Sequence, residues 1–170
     1  MKHVRENTKM GLLGENQFPP MVNSHLSTKR HYALSQCFGA IAQNKPSVIY
    51  ICPTKGVNIN ILPLIIINKI KFVLVIPSKK FFTLLTKDEK AILDSASALA
   101  EKIIILETKT SNPLDWNKDL IAGTKRVIDS SDWVMIAHNQ YEENEAFADL
   151  CLEFEGDPTP VLEVGFGQEE

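Results

Sequence analysis

Two short stretches of this chain set residues where they could hold an anion. "PTKGVNIN" puts Gly56 in a turn after an apolar run and Asn58 at the start of the next segment. If that segment is a helix, its first N–H groups lack intrahelical acceptors and its dipole favours negative charge. Lys55 adds a cation. Thr54, Lys55, Gly56, Val57 and Asn58 are therefore the expected lining of a concave site. The N–H groups of Gly56 and Val57 would face its opening, with Gly56 serving a close backbone approach or a positive φ. The second stretch, "DWNKDLIAGTKRVIDSSD", places Lys118, Lys125 and Arg126 on one helix, with Trp116 at its N-terminal end positioned to stack on a base. Gly14, closing "GLLG", would let a ligand phosphate approach the backbone. Each feature also has a plainer reading as solvated charge or a tight turn.

Other chemistries lack their residues. The patterns G-x-x-x-x-G-K-[ST], G-x-G-x-x-G, G-x-S-x-G and H-E-x-x-H are all missing. The four histidines are scattered, and only His138 stands at a strand end. Asp129 and Asp132 read as capping and solvated groups. Cys37, Cys52 and Cys151 are far apart, with no C-x-x-C pair to imply a zinc site or a disulfide framework. No motif calls for a cofactor or a metal.

A formal net charge of −3 argues against a general polyanion binder, so nucleic acid is not an expected partner. Lys69, Lys71, Lys79 and Lys80 form a modest basic cluster, read as solvated strand ends. The first twenty residues lack the apolar core of a signal peptide. The longest apolar stretch, Ile59–Ile67, is interrupted by Asn60 and Pro63 and is too short to cross a bilayer. A cytoplasmic protein with no membrane partner is expected.

The elements that must position these residues follow from patterning. Met10–Leu13 is a short apolar run that Gly11 and Gly14 weaken as a strand. A helix is expected from Ser24 or Ser27 to Gln43, and strands over Ser47–Cys52, Lys71–Ile76, Ile103–Leu106 and Trp133–Ala137. Ile59–Asn68 is rich in isoleucine and carries Pro63, so its propensity favours a strand. It is nevertheless expected to be a helix, because parallel strands on either side need a crossover. Pro63 would then sit in about the first turn, where its missing N–H costs little. Thr86 with Glu89 forms a capping box opening a helix to about Glu101. Further helices are expected over Trp116–Ser130 and Glu142–Leu152, and a last strand over Val161–Val164.

Strands alternating with helices imply an α/β fold: a Rossmann-like three-layer sandwich with a mostly parallel central sheet. The four main strands are expected to be parallel neighbours. Residues 1–9 read as a flexible segment, 10–165 as one domain and 166–170 as an acidic tail. Ligands of such sheets gather at the carboxyl ends of the strands. Here that edge carries Pro53–Asn58, Pro77–Lys80, Glu107–Trp116 and His138–Tyr141.

The segments "GLLGENQF", "YICPTKGVNINILPLII", "KFVLVIPSKKF" and "NKDLIAGTKRVIDSSDWVMIA" together resemble the SLOG superfamily. That group includes DNA-processing protein A and the lysine-decarboxylase-like proteins, and the likeness is closest to its YpsA-like branch. It covers about Met10 to Asn139. Gly56-Val57-Asn58 stands where the family has Gly-Val-Asp, Gly14 at its first glycine turn, and Pro77 at the proline after a strand. Asp129 and Asp132 match the aspartates before its last strand. The loop's earlier glycines are here Cys52-Pro53-Thr54, and the family's aspartate is Asn58. The motif P-G-G-x-G-T-x-x-E is missing, and the late helix does not reproduce the family's arginine–asparagine pair.

The resemblance implies a domain that binds a nucleotide or nucleotide-derived small molecule in a sensing or regulatory role, without turnover. Its expected ligand-binding residues are Gly14, Thr54, Lys55, Gly56, Val57, Asn58, Pro77, Trp116 and Arg126. One alternative is a phosphoribohydrolase-like enzyme, for which Glu107 and Arg126 are the available carboxylate and arginine. Another is a degenerate scaffold for protein–protein interaction. Self-association as a homo-oligomer is left open.

Overall fold

The computed structural model describes residues 7–14, 24–78, 85–106, 116–139, 150–154 and 156–166. Six strands form one sheet: β1 Lys9–Gly14, β2 Val48–Ile51, β3 Phe72–Ile76, β4 Lys102–Ile105, β5 Trp133–Asn139 and β6 Val161–Phe166. Four helices connect them: α1 Ser24–Asn44, α2 Val57–Ile67, α3 Lys87–Leu99 and α4 Trp116–Asp129. The strand order is β4-β3-β2-β1-β5-β6, and every neighbouring pair is parallel.

This order fixes the layers. The chain steps from β1 to β4 in one direction, so right-handed crossovers lay α1, α2 and α3 on one face. The return from β4 across the sheet to β5 puts α4 on the other. The core divides accordingly. Met10, Leu12, Ile49, Ile51, Leu74 and Met135 pack with Cys37 and Ile41 of α1, Ile61 and Ile65 of α2, and Leu93 and Ala96 of α3. On the opposite face Leu13, Cys52, Val75 and Val134 pack with Val127 and Ile128 of α4. The fold is Rossmann-like.

Three expectations change. The four main strands are parallel, but β5 does not neighbour β2, because β1 lies between them in register with both (Leu12 opposite Ile51 and Met135). The glycine-containing run set aside as a weak strand is thus the centre of the sheet. Pro63 stands seventh in α2 rather than in its first turn. There it removes one i→i−4 bond and leaves the Ile59 carbonyl without that partner. The helix still forms: Val57, Ile59, Ile61, Leu62 and Ile65 are buried against the sheet and its neighbouring helices. Burial of that many apolar side chains, at about 1.5–3 kcal/mol each, outweighs a propensity scale spanning about 1 kcal/mol.

The capping box forms as expected. Thr86 Oγ1 accepts from the Glu89 N–H at 3.2 Å, and Glu89 Oε1 accepts from the Thr86 N–H at 2.8 Å. Of the last expected helix only Leu150–Leu152 lies within the described residues, and it is helical. Among the described residues no helix is long and apolar enough to cross a membrane.

Candidate functional site

Strand order reverses direction at β1, between β2 and β5. In an open parallel sheet this is where the loops leaving adjacent strands diverge to opposite faces and open a crevice at the carboxyl edge. Gly14 ends β1 there, and Cys52–Gly56 leads from β2 into α2.

Asn58 ties these pieces together. Its Oδ1 accepts the Gly14 N–H at 2.8 Å, and its Nδ2 donates to the Cys52 carbonyl at 2.8 Å and to Thr54 Oγ1 at 3.3 Å. The side chain is almost wholly buried. Asn58 is therefore inside the first turn of α2 and binds the ends of β1 and β2, rather than capping the helix. Its chemistry explains the residue type. The Cys52 carbonyl, which also accepts the Thr54 N–H at 2.7 Å, takes a second donor from the amide that an ionised aspartate does not have.

The helix start itself is Gly56, the N-cap of α2, with φ 94° and ψ −135° and no side-chain cap. That backbone conformation is nearly confined to glycine. Gly14 answers a different need, close approach. A Cβ there would lie 2.5 Å from both Val57 Cβ and Asn58 Oδ1.

The remaining expected residues scatter around this clasp. Thr54 is buried beside Asn58, and Val57 is fully buried as the wall against Gly14. Lys55 is exposed and lies 3.5 Å from Glu89 of the α3 capping box, a surface pair worth at most about 1 kcal/mol. Pro77, after β3, is buried beneath α4, where a Cβ on Gly123 would come within 3.1 Å of its ring. Trp116 begins α4 at the carboxyl edge. Arg126 lies in the last turn of α4 and is exposed. Ten residues separate the two, so about 15 Å of helix carries Arg126 toward the amino edge of the sheet. The structure brings Gly14, Thr54 and Asn58 together and leaves Arg126 apart. Glu107 lies outside the described residues.

Gly14, Thr54 and Asn58 line a cavity of about 20 Å³, closed by Leu12, Leu13, Cys52, Leu120, Thr124, Val127 and Leu150. That is room for about one water, with Thr54, Asn58 and Thr124 as polar partners. The α4 wall was not among the expected site residues. Its signal was "AGT": Gly123 lets the helix settle on Cys52 and Pro77, which turns Thr124 inward.

Among the described residues the arrangement holds polar groups and no nucleophile–base pair. Burial pushes the Cys52 thiol up to about 12, so it stays protonated and is a poor nucleophile. Asp132 is taken up structurally, its Oδ2 accepting the Lys9 N–H at 2.8 Å. Among the described residues no three His, Cys, Asp or Glu side chains gather to hold a metal ion.

No family model and no curated protein sequence matches the chain. Among solved structures it is similar to DNA processing protein A from Streptococcus pneumoniae, at 11% identity and a TM-score of 0.40, over 91% of this chain and 58% of that one. It is also similar to SuiB of Streptococcus suis, solved bound to S-adenosylmethionine, at 14% identity and a TM-score of 0.35, over 95% of this chain and 40% of that one. The chain thus spans less than two thirds of either. The Rossmann-like assignment rests on strand order and parallel pairing.

Proposed function

We propose that this chain is a SLOG-like, Rossmann-like domain that binds a nucleotide or nucleotide-derived small molecule at the carboxyl ends of β1 and β2, in a sensing or regulatory role. The observation that carries the proposal is the start of α2. The N-terminus of α2, entered through Gly56 at positive φ and without a side-chain cap, follows β2 and abuts the end of β1, beside the β1–β5 boundary where the strand order reverses. Of its first-turn N–H groups, that of Ile59 is taken by the Thr54 carbonyl. There the first-turn N–H groups and helix dipole favour an anionic group.

The cavity of about 20 Å³ favours a second reading. A site with room for one water accepts a nucleotide only if the surrounding carboxyl-edge segments move. If they do not, the domain is a scaffold whose clasp serves stability alone.

A thermal-shift screen with mono- and dinucleotides separates the readings. Binding raises the melting temperature, and Lys55→Ala, at an exposed position, reduces the rise while lowering that of the ligand-free protein by no more than about 4 °C, the worth of its surface pair with Glu89. No rise with any nucleotide leaves the scaffold.

A further inference from the structure

The net charge of −3 hides a strong segregation. All 18 Lys and Arg precede residue 127, whereas residues 127–170 contain 12 Asp and Glu and neither Lys nor Arg. Among the described residues the β5–β6 end of the sheet carries Glu153, Asp157 and Glu163 and no Lys or Arg. Residues 133–166 include β5 and β6, one end of the sheet, while residues 16–87, which contain no Asp or Glu, include β2, β3, α1 and α2.

On the acidic end lies a groove of about 550 Å³, well within the range that encloses a small organic ligand. Val134, Ile136 and Val161 floor it, Ile128 of α4 forms one wall, and Leu152 and Phe154 form the other. Its apolar surface is open: Leu152 is 60% exposed and Val161 48%. Asp157 and Glu163 stand on its rim, and no Lys or Arg lines it among the described residues.

We propose that this groove binds an organic ammonium ion, a compact apolar body carrying one positive charge. The walls supply apolar contact, and the two carboxylates supply the counter-charge. Phe154 brings an aromatic ring to the groove, a side-chain type that can attract a cation. The Asp157 charge is held in place by Thr159, whose hydroxyl and N–H donate to Oδ1 at 2.7 Å and 2.9 Å and lower its pKa. Asp157 and Glu163, with Glu153 between Leu152 and Phe154, would draw cations in and turn anions away. Covalent capture is not part of the proposal. Burial and the Glu163 carboxylate raise the pKa of Cys151, which lowers its thiolate fraction. The groove adjoins the Gly14–Asn58 cavity, sharing Leu13 with it, but calls for a ligand of opposite charge to the nucleotide reading.

The test compares adamantan-1-amine with adamantane-1-carboxylate, the same apolar cage with opposite charge, by calorimetry and by amide chemical shifts of the full chain. The amine should bind saturably and shift amides within Cys151–Val164, more weakly as salt rises. The carboxylate should bind at least tenfold more weakly. Glu163→Gln, at an exposed position, should weaken the amine several-fold without lowering the melting temperature. Equal binding of both cages, no saturable binding, or shifts confined to Gly14 and Thr54–Asn58 would overturn the proposal. So would a low-salt dimer, or a basic peptide, that holds the groove against the amine.

Discussion

Asn58→Asp tests the clasp at atomic cost. The substitution keeps the shape of the side chain and the acceptor for the Gly14 N–H, but removes both Nδ2 donations, at 2.8 Å to the Cys52 carbonyl and 3.3 Å to Thr54. The Thr54 hydroxyl can rotate to donate to the new carboxylate. The Cys52 carbonyl keeps only the Thr54 N–H, at 2.7 Å. It then faces a carboxylate oxygen across the former hydrogen-bond distance. A lost buried partner costs about 1–3 kcal/mol, and more where charge is involved, so about 3 kcal/mol is expected at pH 7. For a domain of this size, at about 2–4 °C per kcal/mol, the melting temperature should fall by about 6–12 °C. Burial raises the folded-state pKa of the new carboxyl above its unfolded value. The stability of the protonated form is then fully present below the unfolded value and lost as pH rises through the folded one. Protonated, the group can donate to Cys52 as the amide does. Urea unfolding of both proteins, followed by far-ultraviolet circular dichroism at pH 7 and pH 4.5, should show the deficit narrowing at the lower pH. A variant within about 0.5 kcal/mol of the parent, the range of neutral surface changes, would refute the clasp. So would a deficit indifferent to pH.

Gly14→Ala should cost about 1–3 kcal/mol in the same assay, because its methyl would lie 2.5 Å from Val57 Cβ, a backbone-anchored atom. A neutral result would mean that α2 is free to move off the strand end. Thr86→Ala should cost about 1 kcal/mol through loss of the α3 cap, with the change appearing in urea midpoint and not in m. Burial pushes Cys37 and Cys52 up to about 12. In native protein at pH 8 iodoacetamide should therefore label Cys151 alone, identified by peptide mass, and all three thiols only in urea; early labelling of Cys52 would contradict its packing under α4.

How much of this was legible depended on where the physical signal lay. β2, β3 and β5 were plain because strands buried on both faces must be continuous apolar, β-branched runs. α2 was legible only through topology, since its own residues prefer a strand and its helix is imposed by burial between sheet and neighbours. β1 was undervalued for its glycines, although they are what its central position requires. A Cβ on Gly11 would lie 2.7 Å from Ser131 Oγ, as one on Gly14 would meet Val57. Steric demands from residues more than forty positions away leave no local pattern. The site divides in the same way. Gly56 announced its positive φ through its turn context. Asn58 was placed at the helix start, but the sequence did not reveal that the Gly14 N–H and Cys52 carbonyl converge on it. Arg126 was drawn into the site by charge alone, and the length of α4 takes it away.

The binding claim is tested most directly by measuring hydrogen exchange together with the melting temperature during titration with mono- and dinucleotides. A ligand at a hundred times its Kd stabilises the folded state by about 2.7 kcal/mol, which here corresponds to a rise of about 5–11 °C. The account predicts such a rise with at least one nucleotide, accompanied by slowed exchange at Gly14 and at Gly56–Asn58. It is contradicted if no nucleotide raises the melting temperature, or if one does so while exchange at those amides is unchanged.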